Sequence, residues 1–418
     1  MTKLPPKKRP LPPSPPLLQK PANPVVDQKL QILLTGLEKQ YGKGILTNLA
    51  AGKTSERFSR QIPSGSIGLD IALGPISRNP DGSWNTGCAP GRIIEIFGPE
   101  GCGKTTLCIH MVANAQHMGI RCAYLDMEHV FDPEYARNLG VNLQDLGFGQ
   151  PDTGEECLNI CDTLVKSDLY GLIVIDSVAA LIPKSELEGE VGDSAMGAQA
   201  RMMSQAMRKL NACITPGMKN PVNLVFVNQL RMKIGVMYGN PETTTGGSAL
   251  KFYASYRIDI RKGTLLKDGE NVYGNKVRIK VVKNKVAPPF REAEFDLIYG
   301  KGVDYVAELF DLCLGRSLIV QSGAWFSVDG GQLGQGRAMC IERLRSDRVM
   351  AYQLYDRLLT AVLTERGYNI DGTPIPGALP AVLPSNQAHA FRPLTRDERE
   401  SGGEGDGETG RLGERETK

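Results

Sequence analysis

The sequence predicts an α/β fold: a mostly parallel twisted sheet with helices on both faces, an antiparallel extension and a small C-terminal α/β domain. Nearly continuous apolar runs at 121–126, 171–176 and 223–228 alternate with helical patterns, which is typical of parallel strands buried on both faces. Farther along the chain, apolar and charged residues alternate, which indicates antiparallel strands with one wet face. A β-rich run at 92–97 leads through a glycine-rich turn into a helical pattern at 105–118. Strand and helix patterns that alternate in this way define the predicted core.

The composition is that of an ordinary globular protein. Of 418 residues, 41% are hydrophobic and 23% are charged, which allows two or three domains with ample core. The net charge of +3 favours no class of partner, so any DNA site must be local. The nine cysteines include no C-x-x-C pair, which indicates reduced thiols. Reduced thiols are typical of a cytoplasmic protein, and no apolar run reaches the roughly 18 residues of a membrane span.

The chain divides into five predicted segments. The first is proline-rich and carries only basic charges, so we expect a disordered, solvated tail, with contact to nucleic acid or a targeting address as the alternatives. The second contains a helix at 27–41 whose apolar stripe needs a partner in its own domain or in a neighbouring subunit. The small domain is predicted to contain one long helix that carries Leu344, Leu354, Leu358 and Val362, and the last segment is expected to be disordered. The segments are 1–24, 25–60, 61–304 (the core), 305–370 (the small domain) and 371–418.

The glycine-rich turn fits the phosphate-loop pattern of a glycine, four residues and then Gly-Lys-Thr. Its glycines let backbone N–H groups converge on an anion, and the following helix adds the positive end of its dipole. Lys104 would reach the β- and γ-phosphates of ATP, and the Thr105 hydroxyl would hold Mg²⁺. Cys102 is interpreted as a small filler residue, with oxidation sensitivity as the alternative. The predicted nucleotide-binding residues of the loop are Gly98, Pro99, Glu100, Gly101, Cys102, Gly103, Lys104, Thr105 and Thr106.

Two strands of the predicted core run into acidic residues. The strand at 171–176 ends in Asp176, from which a carboxylate can complete a Mg²⁺ shell, although strand-terminal acids also cap helices. The strand at 121–126 ends in Asp126, and Glu128 follows closely. A nucleotide hydrolase needs a carboxylate that orients and deprotonates the attacking water. On placement alone, Asp126 and Glu128 are both candidates.

Longer stretches resemble the RecA family of bacterial recombinases, and the resemblance extends over roughly residues 27–340. The most specific stretch runs from Asn228 to Gly247 and reads NQLRMKIGVMYGNPETTTGG. It implies a RecA-type phosphate-loop ATPase core with a polymerisation helix before it and a small α/β domain after it. The other matching stretches are 98–106, 127–129, 132–137, 150–155 and 175–181.

The resemblance implies roles for individual residues of the nucleotide site. Glu128 would be the base that activates water, and Gln229 would sense the γ-phosphate. Lys283 and Lys285 would reach across a subunit interface to the nucleotide of a neighbour, and the 27–41 helix would drive polymerisation. The positions that match adenine contacts are Asp132, Tyr135 and Tyr299.

Two glycine-rich loops, at 188–197 and 230–244, are the predicted DNA contacts. Each runs into a helix whose free N–H groups can hold phosphate. We expect binding without base specificity, because phosphate contacts and stacking carry no base code. For the methionines of these loops, core filling is the alternative. The residues that match family DNA contacts are Met196, Ser204, Arg208, Arg231, Met232, Ile234, Gly246 and Gly247.

The resemblance implies a DNA-dependent ATPase that forms filaments on single-stranded DNA and exchanges strands with homologous duplex in recombinational repair. It also implies two further partners, a repressor of the LexA type and single-strand-binding protein. A ring-forming helicase is the alternative enzyme, but the helix before the core and the two DNA loops argue against it. The loop at 75–90 is longer than its family counterpart, which could alter access to the nucleotide or to a neighbour. Ala195 replaces a common histidine, and the tail has mixed charge where the family has acidic residues.

Overall fold

The chain divides into two compact units, residues 1–57 and 58–418. The first unit contributes helix α1 (Pro24–Tyr41), which corresponds to the predicted helix. On α1, Ile32 and Leu33 are 69% and 58% exposed. None of the described helices is both long and apolar enough to cross a membrane. The computed structural model describes residues 24–41, 60–190, 197–214, 221–232 and 241–369.

The second unit combines a large sheet, a three-stranded sheet and a hairpin with the helices that connect them. Its helices are α2 (Ile67–Leu73), α3 (Lys104–His117), α4 (Pro133–Asn138), α5 (Gly154–Lys166), α6 (Lys184–Leu187), α7 (Ala198–Cys213), α8 (Ala249–Tyr253), α9 (Tyr305–Gly315), α10 (Arg337–Ser346) and α11 (Arg348–Glu365). Its strands are β1 (Ser77–Arg78), β2 (Trp84–Asn85), β3 (Ile93–Gly98), β4 (Cys122–Asp126), β5 (Leu146–Gly149), β6 (Leu172–Asp176), β7 (Asn223–Met232), β8 (Glu242–Thr244), β9 (Tyr256–Asp268), β10 (Asn271–Asn284), β11 (Glu292–Ile298), β12 (Gly302–Val303), β13 (Val320–Ser322), β14 (Trp325–Val328) and β15 (Gly331–Gln335).

The large sheet has the strand order β12-β11-β10-β9-β3-β7-β6-β4-β5, with β8 paired to β7. The strands from β9 to β5 along this order are parallel, and those from β9 to β12 are antiparallel. Every residue of β3, β4 and β6 is buried. One apolar cluster joins the sheet to α3, and another joins it to α5 and α7. The predicted parallel sheet with an antiparallel extension is therefore confirmed.

A third apolar cluster joins α9, α10 and α11 to the sheet β13-β14-β15, and these elements form the small C-terminal domain. The prediction of one long helix here is wrong, because Leu344 lies on α10 whereas Leu354, Leu358 and Val362 lie on α11. The break falls at Asp347, whose side chain accepts a hydrogen bond from Met350 N and so starts a second helix.

Helix α2 of the core is held at both ends by side chains of the C-terminal domain. At its N-terminus, Glu308 of α9 accepts hydrogen bonds from Ser66 Oγ (2.6 Å), Ile67 N (2.9 Å) and Gly68 N (2.9 Å). At its C-terminus, Arg366 donates to the carbonyl oxygens of residues 71 and 74. A carboxylate at the N-terminus and a guanidinium at the C-terminus both match the helix dipole. Burial raises the pKa of Glu308 to about 7, although these hydrogen bonds oppose the rise.

The long loop at 75–90 contains a two-stranded hairpin, β1 paired with β2. Asp356 of α11 accepts from Arg78 Nη2 (2.5 Å) and from Trp84 Nε1 (3.0 Å). The Arg78 guanidinium also lies 5.2 Å from the centre of the Trp84 ring. The predicted surface loop is therefore docked on the C-terminal domain through one shared carboxylate.

Replacing Asp356 with alanine is expected to destabilise the protein by about 1–2 kcal/mol, because both donors lose their acceptor. Asp356→Asn keeps an oxygen for Trp84 and should lose less. Glu365→Ala on the same helix is the matched control, since the Glu365 side chain pairs with Arg316 at the surface and is 55% exposed. The measurement is the midpoint of denaturant unfolding. Equal midpoints for Asp356→Ala and Glu365→Ala would show that the contact between Asp356 and the hairpin adds no more stability than a surface ion pair.

Histidine 110 links the helix after the phosphate loop to the end of the large sheet. His110 Nε2 accepts a hydrogen bond from Val303 N (3.0 Å), which requires an unprotonated nitrogen. Gly302, with a φ of +78°, lies so close that a Cβ there would be 2.3 Å from His110 Nε2. Burial lowers the pKa of His110 from 6.5 to about 4. The folded protein therefore favours the neutral ring.

We expect this ring to make the protein less stable in acid. Its contribution is complete above pH 6.5 and is lost as the pH falls through 4, up to about 3 kcal/mol, because the unfolded chain takes up the proton first. In His110→Gln this part of the pH dependence should be missing, since an amide oxygen can accept from Val303 N at any pH. Unfolding free energies measured between pH 4 and 7 test this, with the exposed His117→Gln as control. The same slope in His110→Gln and wild type would contradict it.

Candidate active site

The phosphate loop connects the end of β3 to the start of α3. Gly101 and Gly103 have φ values of +65° and +95°, in the left-handed region that glycine adopts without strain. Gly98 is required for a different reason, because a Cβ there would lie 2.1 Å from the Ile260 carbonyl oxygen of β9. The sequence places glycine where the turn is tight and where a neighbouring strand is close. The loop is thus shaped to surround an anion at the N-terminus of α3.

Two side chains of the loop bind its own backbone. Lys104 Nζ donates to Pro99 O (2.7 Å) and Gly98 O (3.3 Å), so the ammonium group lies folded over the loop. Cys102 Sγ donates to the same Pro99 oxygen (2.9 Å), and its side chain is buried. Burial raises the pKa of the Cys102 thiol, which keeps it protonated and unreactive. This supports the interpretation of Cys102 as a filler residue.

Asp176 lies at the end of β6, next to the phosphate loop. Its Oδ2 accepts hydrogen bonds from Thr105 Oγ1 (2.7 Å) and Tyr124 OH (2.7 Å). Burial raises the pKa of Asp176, and these two hydrogen bonds oppose the rise. A hydroxyl and a carboxylate side by side are hard oxygen ligands of the kind that Mg²⁺ takes, with waters and phosphates as the rest of its shell. The residues present therefore fit this ion.

The structure distinguishes Asp126 from Glu128, which their positions in the sequence leave as equal candidates for the general base. Asp126 is buried, and its carboxylate accepts from Glu128 N (3.2 Å), Phe131 N (3.0 Å) and Gln150 Nε2 (3.1 Å). It therefore shapes the loop after β4. Glu128 instead lines the cleft beside the phosphate loop, where its Oε1 accepts from Gln229 Nε2 (2.9 Å). The geometry favours Glu128 over Asp126 as the base.

The cleft has a volume of about 430 Å³. Tyr135 and Tyr299 both line it, with Tyr299 47% exposed and Tyr135 OH 3.0 Å from Thr106 Oγ1. Asn275 and Leu297 face each other across β10 and β11, and their place in the cleft follows from long-range strand pairing that no local pattern reveals. The predicted residues that line the cleft are Glu100, Gly101, Gly103, Lys104, Thr105, Thr106, Glu128, Tyr135, Asp176, Gln229 and Tyr299. The lining residues that sequence reasoning missed are Asn275, Leu297 and Gly300.

A second cleft, of about 520 Å³, lies mainly between α11 and the strands β14 and β15, with Arg78 of the hairpin at one side. Its arginines are already engaged: Arg78 pairs with Asp356, Arg357 pairs with Asp329, and Arg343 donates to backbone carbonyls. Size alone would favour this cleft. The chemistry favours the smaller one, in which backbone N–H groups, a lysine and a hydroxyl converge.

Six predicted nucleotide contacts do not line the cleft: Gly98, Pro99 and Cys102 of the phosphate loop, and Asp132, Lys283 and Lys285 outside it. Asp132 Oδ1 accepts from the backbone N–H groups of residues 134 and 135 and so caps α4, the helix that carries Tyr135. Lys283 Nζ donates to Lys251 O (2.6 Å) and Phe252 O (2.9 Å), in the last turn of α8, and Lys285 Nζ lies 3.4 Å from the Phe252 oxygen. Burial lowers the pKa of Lys283, and the nearby Lys285 adds to this. The two lysines lie at the opposite end of β10 from Asn275.

Strand β7 connects the cleft to the second predicted DNA loop. Gln229 is the register partner of Gly98 in the phosphate loop, and Arg231 and Met232 follow on the same strand. Met232 is 67% exposed, which argues against core filling. The base of the loop is a hairpin, since β7 pairs with β8. Asn228 anchors the end of β8 by accepting from Thr245 Oγ1 (2.5 Å).

The two predicted DNA loops lead into neighbouring parts of the structure. Gly246 and Gly247 have φ values of +77° and +75°, and a Cβ on Gly247 would lie 2.8 Å from Ala200 Cβ at the start of α7. Ser204 is half-buried on α7 and Arg208 is exposed one turn farther along. Residues 191–196 and 233–240, which include Met196 and Ile234, lie outside the described residues.

Comparison with known proteins identifies relatives over most of the chain. The RecA N-terminal domain matches residues 28–304, and the RecA C-terminal domain matches residues 307–363. Protein RecA 2 of Myxococcus xanthus is 50% identical over 350 residues, which cover 84% of this chain and 93% of that protein. Protein RecA of Cereibacter sphaeroides strain ATCC 17023 is 52% identical over 329 residues, 79% of this chain and 92% of that protein. Protein RecA of Paracoccus denitrificans is 51% identical over 343 residues, 82% and 92% of the two chains.

Proposed function

This chain belongs to the RecA family, and we propose that its cleft hydrolyses ATP with Glu128 as the general base. The protein is a DNA-dependent ATPase of recombination and repair that binds nucleotide, exchanges DNA strands in an ATP-dependent reaction and assembles into filaments. The roles of its individual residues are our proposal. The supporting observation is the hydrogen bond that Gln229, the proposed γ-phosphate sensor, donates to Glu128, the proposed base.

In the proposed reaction, Lys104 leaves the loop carbonyls and binds the β- and γ-phosphates. Thr105 and Asp176 would hold Mg²⁺, which would neutralise phosphate charge when bound. Glu128 takes a proton from water, whose oxygen bonds to the γ-phosphorus while the bond to the β–γ bridging oxygen breaks. The other loop residues that we propose as nucleotide contacts are Gly98, Pro99, Glu100, Gly101, Cys102, Gly103 and Thr106.

The adenine base is proposed to contact Tyr135 and Tyr299, which both line the cleft. Aromatic rings stack on a base without needing a donor or acceptor pattern. Asp132 supports this site by capping the helix that carries Tyr135. Its own contact with the base stays a prediction.

We propose that the nucleotide site is completed by a second copy of the chain. Lys283 and Lys285 lie away from the cleft of their own chain, with their ammonium groups on carbonyl oxygens that a phosphate could replace. In a filament they would bind the nucleotide of the neighbouring subunit. The exposed apolar residues of α1 are proposed to drive the same assembly.

DNA is proposed to bind beside α7 and the neighbouring residues Gly246 and Gly247. Ser204, Arg208 and the backbone at Gly246 and Gly247 would bind phosphates. Because Gln229 and the exposed Met232 share strand β7, a change at the γ-phosphate can shift the second DNA loop. The residues proposed to contact bases are Met196, Arg231, Met232 and Ile234.

Four further proposals concern partner proteins, location and domain organisation. A repressor of the LexA type would cleave itself on the filament, and single-strand-binding protein would share the DNA substrate. The protein would act in the cytoplasm. Its domain organisation would follow the five segments predicted from the sequence.

Electron microscopy with single-stranded DNA and a non-hydrolysable ATP analogue, followed by a strand-exchange assay, tests the proposed function. We expect helical filaments that exchange strands when ATP is supplied. Closed rings, or duplex unwinding without exchange, would contradict it and favour a helicase.

A further inference from the structure

Ser177 follows Asp176 at the end of β6 and is completely buried. It occupies the N-cap position of a short 3-10 helix, residues 178–180. A serine at such a position ordinarily accepts a hydrogen bond from the backbone of the helix. The Ser177 side chain makes no such cap. Its hydroxyl instead donates a hydrogen bond to Glu128 Oε1.

Glu128 therefore receives two donors on one oxygen, the hydroxyl of Ser177 and the amide of Gln229 (2.9 Å). We expect ATP binding to move one of these donors away from Glu128 and to leave the other in place. If Gln229 senses the γ-phosphate, its amide must turn toward the phosphate when ATP is bound. In this proposal the Ser177 hydroxyl does not bind phosphate, and its position is fixed because Ser177 is buried at the end of β6.

We propose that Ser177 is a positioning residue for ATP hydrolysis, which holds Glu128 Oε1 so that Oε2 faces the attacking water. A glutamate has three rotatable side-chain bonds, and a base that is out of place by about 1 Å can cost roughly a hundred-fold in rate. The hydrogen bond to a buried hydroxyl fixes the carboxylate before the reaction begins. Ser177 touches neither ATP nor water in this role.

The proposal rests on the role of Glu128 as the base, and the test separates the two. ATP turnover on single-stranded DNA is measured for Ser177→Ala, Ser177→Thr, Glu128→Gln and the double variant Ser177→Ala/Glu128→Gln. The exposed Ser167→Ala is the matched control. Filament formation with a non-hydrolysable analogue shows for each variant whether the protein is folded and still binds nucleotide and DNA.

Ser177→Ala is expected to lower kcat by about 10- to 100-fold, the range for a hydrogen bond to a charged group, with KM for ATP within about two-fold of wild type. Ser177→Thr keeps the hydroxyl and should restore most of kcat. In the Glu128→Gln background, Ser177→Ala should have almost no further effect, because it acts through the carboxylate.

Three results would overturn the proposal. They are a wild-type kcat in Ser177→Ala, an effect on KM alone, or an equal fall in kcat with and without Glu128. A Ser177→Ala protein that forms no filaments would assign the residue a structural role and would also overturn it. If Glu128→Gln itself turns over ATP normally, the proposed base is wrong, and that outcome is distinct from all of these.

Discussion

Replacing Lys104 with alanine is expected to lower ATP turnover by roughly a hundred- to a thousand-fold, the usual effect of removing one donor from a transition-state oxyanion. The ammonium group lies on the carbonyl oxygens of residues 98 and 99, in the position from which it can swing to the β- and γ-phosphates. No other lysine lines the described cleft, so the lost charge has no substitute within the same chain. Filament formation that depends on nucleotide should be lost as well.

The measurement is steady-state ATP hydrolysis with single-stranded DNA, together with direct nucleotide binding. Lys166→Ala is the matched control, because Lys166 is an exposed lysine that pairs with Asp162 on α5. Lys104→Arg tests whether positive charge alone is enough, since it keeps the charge but replaces the compact ammonium group with a planar guanidinium group. ATP turnover of Lys104→Ala within ten-fold of wild type would mean that the cleft does not bind phosphates as proposed.

Glu128→Gln is expected to keep nucleotide and DNA binding but to lose hydrolysis by roughly a hundred- to ten-thousand-fold, the contribution of a general base. The amide is nearly the same size as the carboxylate, and its oxygen can still accept from Ser177 and Gln229. Only the capacity to take a proton from water is removed. Filaments formed with ATP should therefore persist longer than those of the wild type.

Single-turnover hydrolysis and filament lifetimes measure the two effects separately. Glu134→Gln is the control, since Glu134 is an exposed acid in the first turn of α4. Glu128→Ala should behave like Glu128→Gln in hydrolysis. Full ATP turnover in either variant would remove Glu128 from the role of base, and Asp126→Asn would then be the next variant to test.

A feature of the fold or of the site can be predicted from the sequence where the interactions that determine it are local. The parallel strands are apolar along their whole length, and the phosphate loop is a contiguous pattern, so both could be predicted. Asn275 and Leu297 could not, because their position in the cleft depends on the register in which β10 and β11 pair and on where the sheet carries them, which the residues beside them in the sequence do not show. Ser177 was overlooked for a related reason, since its partner Glu128 lies 49 residues away on another strand end.

The C-terminal region was predicted less well than the core. A periodic run of leucines extends from α10 into α11, and only the cap at Asp347 divides it, which the apolar pattern does not show. The docking of the 75–90 hairpin depends on Asp356, about 270 residues farther along the chain. Long-range polar contacts of this kind leave no periodic signal in a sequence.

The attachment of helix α2 has a consequence for fragments and chimeras of this protein. A chain cut after residue 304 would contain every strand of the large sheet, yet α2 would lose Glu308 and Arg366 together. Three donors at one end of that helix and two carbonyl oxygens at the other would then need water or new partners. The boundary that a family comparison suggests for cloning is therefore not a boundary in the hydrogen-bond network, and an ATPase fragment should be designed to extend through Arg366.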